Sequence, residues 1–211
     1  MKIIFCIPGR TFSRYFLNSW SNLINELKLM DIEWELITDY YPYLHKVRNA
    51  ISQRAIQKEY DYLMWIDSDM VFKPIHFKNL LSHKDKCDIV SGVYFAQNGT
   101  DIYNTPIKYA CMGMNEEKLN KWEVDKYVRD GTPLNYNFGT DAPDGLIQVR
   151  ANGMGWMLVK KGVFESIEDP FDVGMRKGED IVFQVKALEK GFKSYVDPTI
   201  IVGHEKSLIL R

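Results

Sequence analysis

Short apolar runs alternate with stretches of helically spaced apolar residues over most of the first half of the chain. Continuous apolar runs are typical of strands buried on both faces, and apolar residues at helical spacing predict amphipathic helices. Each strand leading into a helix predicts an α/β fold, with a mostly parallel central sheet flanked by helices and right-handed crossovers. The predicted strands are 3–7, 32–36, 63–66 and 88–95, and the predicted helices are 16–27, 44–55 and 74–81. In the strand at 32–36, Ile32, Trp34 and Leu36 alternate with two glutamates, which indicates a half-exposed strand.

The pattern is less regular in the second half of the chain. Residues 115–145 are polar and rich in glycine, proline, asparagine and aspartate, and a loop of that length within a domain is usually functional or mobile. A helix is predicted to begin near 179, with Ile181, Val185 and Leu188 on one face and Gly191 just beyond its end. The other predicted elements are strands at 109–114, 146–150 and 156–159, a short helix around Phe164 and extended residues at 195–202.

Composition and charge exclude several broad classes. The 211 residues, of which 45% are hydrophobic and 26% charged, suit one large domain with a substantial core. A formal net charge of −1 gives no general attraction to nucleic acid or anionic membrane. Cys6, Cys87 and Cys111 lack metal-type spacing and predict free thiols in a reducing compartment. No apolar run is long enough to span a bilayer, so a soluble, cytoplasmic protein is expected.

Two aspartates, Asp67 and Asp69, follow the apolar strand at 63–66. Side chains alternate along a strand, so both carboxylates should point the same way if the extended conformation continues through Ser68. Two carboxylates on one side repel each other unless a cation lies between them, and ligands bind at this end of open α/β sheets. The alternative is a polar strand exit in which one aspartate caps the helix that begins at Pro74.

A second candidate site is the loop that follows the first strand. Pro8, Gly9 and Arg10 separate that strand from a helix whose expected N-cap is Thr11 or Ser13. A strand, a loop with a glycine and a cation, and then a helix form a place where a phosphate or a nucleotide can dock. Arg10 is equally well explained as a solvated loop charge.

Seven short motifs follow one another along the chain. They are Val47-Arg48-Asn49, Ile66-Asp67-Ser68-Asp69-Met70-Val71, Gly92-Val93-Tyr94, Gly153-Met154-Gly155, Gly178-Glu179-Asp180, Val196-Asp197-Pro198 and Gly203-His204. In this order the chain resembles the GT-A glycosyltransferases, specifically the family-two-like group of bacteria and large DNA viruses. It is also similar to the N-terminal domain of larger chlorovirus glycosyltransferases. The resemblance implies a single GT-A domain, with a nucleotide-sugar-binding half at 1–114 and an acceptor-side, metal-completing half at 115–211.

The resemblance implies metal-dependent transfer of a sugar from a nucleoside-diphosphate sugar, a UDP sugar by family frequency, to a hydroxyl of a saccharide or glycan. A divalent ion would neutralise the anionic leaving group. Oxygen ligands suit Mg²⁺ or Mn²⁺, and an imidazole ligand favours Mn²⁺. The implied metal ligands are Asp67, Asp69 and His204, although the first aspartate can instead meet the ribose. The implied nucleotide contacts are Pro8, Gly9, Arg10, Arg48, Asp67, Ser68 and Asp69.

Two further acids, Glu179 and Asp180, resemble the family's acidic pair near the acceptor, where the aspartate can deprotonate the attacking hydroxyl. Alternatively, both acids merely favour the N-terminus of the following helix. A base at Asp180 implies inversion at the anomeric carbon, but a retaining enzyme can carry the same acids for acceptor binding. Trp156 is a candidate for stacking on a sugar or for a place in the core.

Two other functions share these features. A metal-dependent nucleotidyltransferase would use the same aspartate pair, although the sequence has no glycine-rich phosphate-binding loop with a lysine. A catalytically silent nucleotide-sugar-binding domain of a larger polypeptide is the other alternative. Pyrophosphate as a product would indicate the first of these, and donor binding without turnover would indicate the second.

Overall fold

The computed structural model describes residues 1–94, 145–149, 151–172 and 178–205. The strands are β1 (Lys2–Pro8), β2 (Glu33–Asp39), β3 (Tyr62–Ile66), β4 (Met70–Val71), β5 (Ile89–Val93), β6 (Ile147–Val149), β7 (Trp156–Lys160), β8 (Ser194–Ile201) and β9 (Gly203–His204). The helices are α1 (Arg14–Leu29), α2 (Leu44–Ile56), α3 (Pro74–Leu81) and α4 (Glu179–Glu189), and a single 3₁₀ turn spans Phe164–Ser166. The predicted strand at 109–114 and all of the polar segment 115–145 except Gly145 lie outside the described residues.

A seven-stranded sheet in the order β2-β1-β3-β7-β5-β8-β6 forms the centre of the fold. Five strands run in one direction, and β6 and β7 run in the other. Strand β7 comes late in the chain but lies between β3 and β5, so the first and second halves share one sheet. Strands β4 and β9 form a separate antiparallel pair. The predicted α/β class, with a mostly parallel sheet flanked by helices, is confirmed.

Both faces of the sheet are covered, which explains the continuous apolar runs of β1 and β3. Phe5 and Met64 face the side where α1 and α3 pack, and their neighbours Cys6 and Trp65 face the side where α2 and α4 pack. All of these side chains are at most 1% exposed. A strand buried on both faces has no polar face to present, so its sequence lacks the polar alternation of a half-exposed strand.

The edge strand β2 differs from the predicted alternation at its end. Trp34 packs on Phe5 and Trp20, with ring centroids 6.4 and 5.7 Å apart. Leu36, expected on the buried face, is 43% exposed, whereas Ile37 is buried on the side of α2. Because both faces of β2 are partly covered, an alternating pattern assigns its buried positions wrongly.

Helix α4 buries a face other than the predicted one. Val182, Phe183, Gln184 and Ala187 are buried, whereas Leu188 is 40% exposed. The ring of Phe183 stacks on Phe164 at 4.4 Å between centroids, and this large aromatic contact sets the rotation of the helix. The predicted end is confirmed, since Gly191 follows the last turn with a φ of 92°.

Two further expectations concern the thiols and the membrane. Cys6 and Cys87 are buried free thiols, and Cys111 lies outside the described residues. None of the helices in the described ranges is both long and apolar enough to cross a membrane.

Candidate active site

A cleft of about 490 Å³ opens where the parallel strands β1, β2 and β3 end. Its volume lies within the range of about 300–1,000 Å³ that is usual for small-molecule sites. Ligands bind at this carboxyl end of the strands in open α/β sheets. Seven of the predicted site residues line the cleft: Pro8, Gly9, Arg10, Asp67, Ser68, Asp69 and His204.

Close packing of two loops forms part of the cleft lining. A Cβ atom added to Gly9 would lie 2.5 Å from both Cβ and Oγ of Ser68, so a larger residue would push the turn at 67–69 away. The Gly9 N–H also donates to the Asp39 carbonyl oxygen at 3.0 Å. The loops that follow β1, β2 and β3 are therefore held together at this point.

A tight turn follows β3 and directs the two aspartates to different partners. The Met70 N–H donates to the Asp67 carbonyl oxygen at 3.1 Å, so the extended conformation does not continue through Ser68. The condition under which both carboxylates were expected to point the same way is therefore not met. Asp67 accepts a hydrogen bond from Arg48, whereas Asp69 lies beside His204.

The pairing of β4 with β9 brings Asp69 and His204 together. Met70 lies opposite His204 in this pair, and the Glu205 N–H donates to the Asp69 carbonyl oxygen at 2.8 Å. His204 Nε2 is then 3.0 Å from Asp69 Oδ2, and the two side chains are 11% and 40% exposed. The ring of Tyr94 packs edge-on against the imidazole at 5.3 Å. An imidazole and a carboxylate thus meet at the cleft.

The donor atoms of this pair suit a divalent cation shared with a bound ligand. Oxygen and imidazole nitrogen are the ligand types that Mn²⁺ accepts. Within the described ranges, no group of three or more histidine, cysteine, aspartate or glutamate side chains is arranged to hold a metal ion. Two protein ligands leave positions for phosphate oxygens and water, as is usual for Mg²⁺ sites in nucleotide enzymes. Asp69 and His204 therefore fit the metal that the resemblance implies.

Arg48 lies behind the cleft and joins two carboxylates. Its side chain is 2% exposed, and its two amino nitrogens donate to Asp67 Oδ1 and Glu179 Oε1, each at 2.9 Å. Burial opposes the charged form of Arg48, but the surrounding carboxylates outweigh it and raise the pKa of the guanidinium. Although a nucleotide contact was expected, Arg48 is not part of the cleft surface.

Glu179 and Asp180 begin helix α4 and do not line the cleft. Burial raises the pKa of Asp180 to about 6, although the nearby Arg48 guanidinium acts in the opposite direction. The Asp180 carboxylate also accepts a hydrogen bond from the Ile181 N–H at 2.9 Å, which is consistent with support of the helix N-terminus. The two acids therefore have different contacts: Glu179 binds Arg48, and Asp180 is partly buried and accepts from a backbone N–H.

A buried polar cluster connects the start of α4 to the glycine-rich turn at 151–155. The Gln184 amide donates to the Asp180 carbonyl oxygen at 3.1 Å, and the Gln184 carbonyl oxygen accepts from the Asn152 N–H at 3.2 Å. The Asn152 amide donates to the hydroxyl of Ser91. All three polar side chains are 0% exposed. These bonds fix the position of the start of α4, and so of Asp180, relative to the central sheet.

Several alternative interpretations of single residues are decided by these contacts. The N-cap of α3 is Lys73, so neither aspartate caps that helix. Ser13 is the N-cap of α1, since its hydroxyl accepts from the Phe16 N–H at 3.1 Å. Trp156 is 0% exposed and packs on Phe72 at 4.6 Å, so it belongs to the core and does not stack on a sugar.

Aromatic residues line one side of the cleft and were not among the predicted site residues. Tyr40, Tyr41 and Pro42 follow the end of β2, and the two tyrosine rings are 49% and 51% exposed. The guanidinium of Arg10 lies 5.6 Å from the centre of the Tyr40 ring. The signal in the sequence was a run of aromatic residues directly after the carboxyl end of a predicted strand, which is where ligands bind.

Two solved structures share this architecture. The crystal structure of A197 from STIV matches with a TM-score of 0.59 and 18% sequence identity, covering 98% of this chain and 87% of that chain. The inositol-1-phosphate CTP transferase from T. maritima matches with a TM-score of 0.52 and 14% identity, covering 98% of this chain and 89% of that chain. No model of a known protein family and no curated protein matches the sequence. At these identities the likeness shows a shared fold, which is compatible with a single GT-A-like domain.

Proposed function

We propose that the chain is a metal-dependent glycosyltransferase that moves a sugar from a nucleoside-diphosphate sugar to a hydroxyl of a saccharide. The observation that carries this proposal is the cleft in which the loop at 8–10, the turn at 67–69 and His204 meet. Aromatic residues and the Asp69–His204 pair both line this cleft. A nucleotide sugar has the matching pair of ends, a flat base and an anionic diphosphate.

The base and the ribose are assigned to the aromatic side of the cleft. Tyr40 and Tyr41 are half-exposed aromatic residues of the cleft lining, and a base stacked on an aromatic ring is worth about 1–3 kcal/mol. Asp67 contacts the ribose hydroxyls in this proposal, because its carboxylate is already oriented by Arg48. We place uracil first among the bases, as the resemblance implies.

The diphosphate is assigned to the space beside Asp69 and His204. Among the described residues, the cleft lining includes two carboxylates, one imidazole and the guanidinium of Arg10. A diphosphate next to two carboxylates would be repelled, so a cation must accompany it. A divalent ion held by Asp69 and His204 would neutralise the charge that develops on the leaving group. Arg10, which is exposed at the cleft, adds a second positive charge.

The transfer itself is a substitution at the anomeric carbon of the donor sugar. The acceptor oxygen bonds to that carbon while the bond to the β-phosphate oxygen breaks, and the electron pair of that bond leaves with the nucleoside diphosphate. In this proposal the hydroxyl proton passes to the carboxylate of Asp180. That carboxylate lies near Arg48 and Asp67 but outside the described lining of the cleft, so the acceptor has to approach from the start of α4. A base works best when its pKa is near the working pH, and the pKa of Asp180, about 6, meets that condition.

A nucleotidyltransferase is the second candidate, because the fold is shared with a CTP transferase. Such an enzyme would release pyrophosphate from a nucleoside triphosphate, whereas a glycosyltransferase releases a nucleoside diphosphate. A domain that binds nucleotide sugars without turnover would release neither. The identity of the released product therefore separates all three functions.

A melting screen tests the proposal first. UDP, GDP, CDP and dTDP sugars are each added with Mn²⁺, and then with the metal removed by a chelator. A ligand that binds the folded chain raises its melting temperature, so at least one nucleotide sugar should do so when Mn²⁺ is present. The sugar that stabilises the protein most is then used to identify the released nucleotide with a mixture of saccharide acceptors. No stabilisation by any nucleotide sugar would contradict the proposal.

A further inference from the structure

Arg48 connects the cleft to the start of helix α4. Its two amino groups bind carboxylates from different parts of the chain, Asp67 after β3 and Glu179 at the first position of α4. The guanidinium is almost fully buried, and its Nε has no hydrogen-bond partner among the described residues. The two carboxylates are thus the contacts that hold the planar group in place.

The carboxylate of Glu179 is bound to Arg48. Its Oε1 accepts from Arg48 at 2.9 Å, and its side chain is 18% exposed. It is not part of the cleft surface, whereas Asp67 is. A carboxylate that binds a buried guanidinium is oriented toward the interior and away from an incoming hydroxyl.

The geometry of a guanidinium makes this link directional. Arginine presents its N–H groups in a rigid planar fork, so a bond at one nitrogen fixes where the other nitrogen points. Bonds between charged partners are also shorter and stronger than neutral ones. The position of Glu179 therefore determines the direction from which Arg48 binds Asp67, and with it the orientation of the Asp67 carboxylate in the cleft.

We propose that Glu179 is a positioning residue for the nucleotide site, which it serves through Arg48 by orienting Asp67. This inference rests on the proposed function, since it assumes that the cleft binds a nucleoside diphosphate. It separates the two neighbouring acids: Glu179 acts on the donor side, and Asp180 acts on the acceptor.

The test measures the affinity of the folded protein for UDP with Mn²⁺ by calorimetry. Glu179→Gln keeps the shape of the side chain and removes its charge, and affinity is expected to fall about tenfold because a charged hydrogen bond is weakened. Glu189→Gln, on the exposed far end of the same helix, is the matched control and should bind like the wild type. Melting curves establish that each variant is folded at the assay temperature.

A second variant shows whether Glu179 acts through Arg48. Arg48→Lys keeps the charge but loses the fork, so the lysine cannot hold both carboxylates in the same geometry. Its affinity for UDP should also fall, and adding Glu179→Gln should change it by less than about twofold, because contacting residues are not additive. If Glu179 contacted the ligand independently, the two losses would multiply.

Three outcomes are distinguishable. Reduced affinity in Glu179→Gln, with no further loss in the double variant, supports the inference. Wild-type affinity in Glu179→Gln, or multiplied losses in the double variant, overturns it and leaves the proposed function standing. If none of the four nucleotide sugars of the melting screen binds the wild type, the proposed function fails, and this inference fails with it.

Discussion

The two aspartates of the turn at 67–69 are separated by one residue but lie in opposite electrostatic surroundings. Asp67 is bound to Arg48, which is 2% exposed and also binds Glu179, so its charge is partly offset within the protein. Asp69 lies 3.0 Å from His204 with 40% of its side chain exposed. Both carboxylates line the cleft, but Asp67 is held by a buried guanidinium and Asp69 by an imidazole at the surface of the cleft.

This difference shows that an Asp-X-Asp motif need not supply two equivalent ligands. The turn closed by the Met70 N–H sends the two side chains in different directions. A buried arginine with two carboxylate partners adds little net stability compared with apolar residues, but it fixes geometry well. The buried cluster therefore suits orientation of a ligand, and the exposed pair suits the binding of a cation.

The largest effect is expected when the buried cluster is broken. Arg48→Met should lower the free energy of unfolding by about 3 kcal/mol, because it leaves two carboxylates without their buried partner. Arg54→Met on the same helix is the control, since Arg54 and its partner Asp39 are 49% and 41% exposed and such pairs contribute at most about 1 kcal/mol. Urea denaturation of both variants checks the difference. Equal losses would show that the cluster is no stronger than a surface pair.

Replacement of the proposed base separates chemistry from binding. Asp180→Asn should lower the rate of sugar transfer about a hundredfold or more, the usual scale for loss of a general base. The affinity for UDP with Mn²⁺ should be unchanged, because Asp180 lies outside the cleft lining. If the variant keeps the wild-type rate, Asp180 is not the base and only stabilises the N-terminus of α4.

The raised pKa of Asp180 predicts that the stability difference between the wild type and Asp180→Asn depends on pH. The pKa of Asp180 is raised from its ordinary 3.8 to about 6, so the folded state favours the protonated carboxyl. As pH rises between those two values, the unfolded state loses its proton first and the wild type becomes less stable. Asp180→Asn lacks this loss and should be more stable above pH 7, by on the order of 2 kcal/mol. The advantage should disappear below pH 4, which denaturation at both pH values checks.

The close contact between Gly9 and Ser68 helps to position the turn that carries both aspartates. Gly9→Ala places a methyl group 2.5 Å from the Ser68 side chain, and such overpacking typically costs about 1–3 kcal/mol. The double variant with Ser68→Gly removes the atoms that clash and should regain most of this loss. Denaturation of the two variants tests the contact. If Ser68→Gly restores nothing, the clash lies elsewhere.

The smallest effect is expected on the aromatic side of the cleft. Tyr40→Ala should weaken UDP binding about fivefold through lost stacking, with a change in stability within about 0.5 kcal/mol because the ring is half-exposed. Tyr43→Ala is the control, since its ring is 57% exposed but lies outside the cleft lining. Equal affinities of the two variants would remove Tyr40 from the base site.

Much of the fold could be predicted because strands buried on both faces leave an unambiguous sequence pattern. The apolar residues of β1 and β3 belong to two separate core clusters, so both strands carry continuous apolar runs, at 3–7 and 62–66. It was harder to predict which face of a helix is buried. Phe183 and Leu188 compete for the buried face of α4, and the stacking of Phe183 on Phe164 decides it through a contact distant in sequence.

The candidate site could be predicted as a set of residues but not as an arrangement. Proximity of Asp69 and His204 depends on the pairing of β4 with β9, which are two residues each and carry no periodicity. Arg48 was expected at the ligand because the family resemblance implies a nucleotide contact there. Its partners, 19 and 131 residues away along the chain, could be identified in the structure alone.

The most direct test of the account is calorimetry of UDP binding to the wild type and to Asp69→Ala, with Mn²⁺ and with a chelator. Asp85→Ala, which removes a carboxylate that is 78% exposed, is the control. If Asp69 and His204 hold the ion that neutralises the diphosphate, Mn²⁺ should tighten binding to the wild type and to the control at least about tenfold. The metal should give Asp69→Ala no gain in affinity. Equal affinity with and without Mn²⁺ in the wild type, or the full metal effect in Asp69→Ala, would contradict the account.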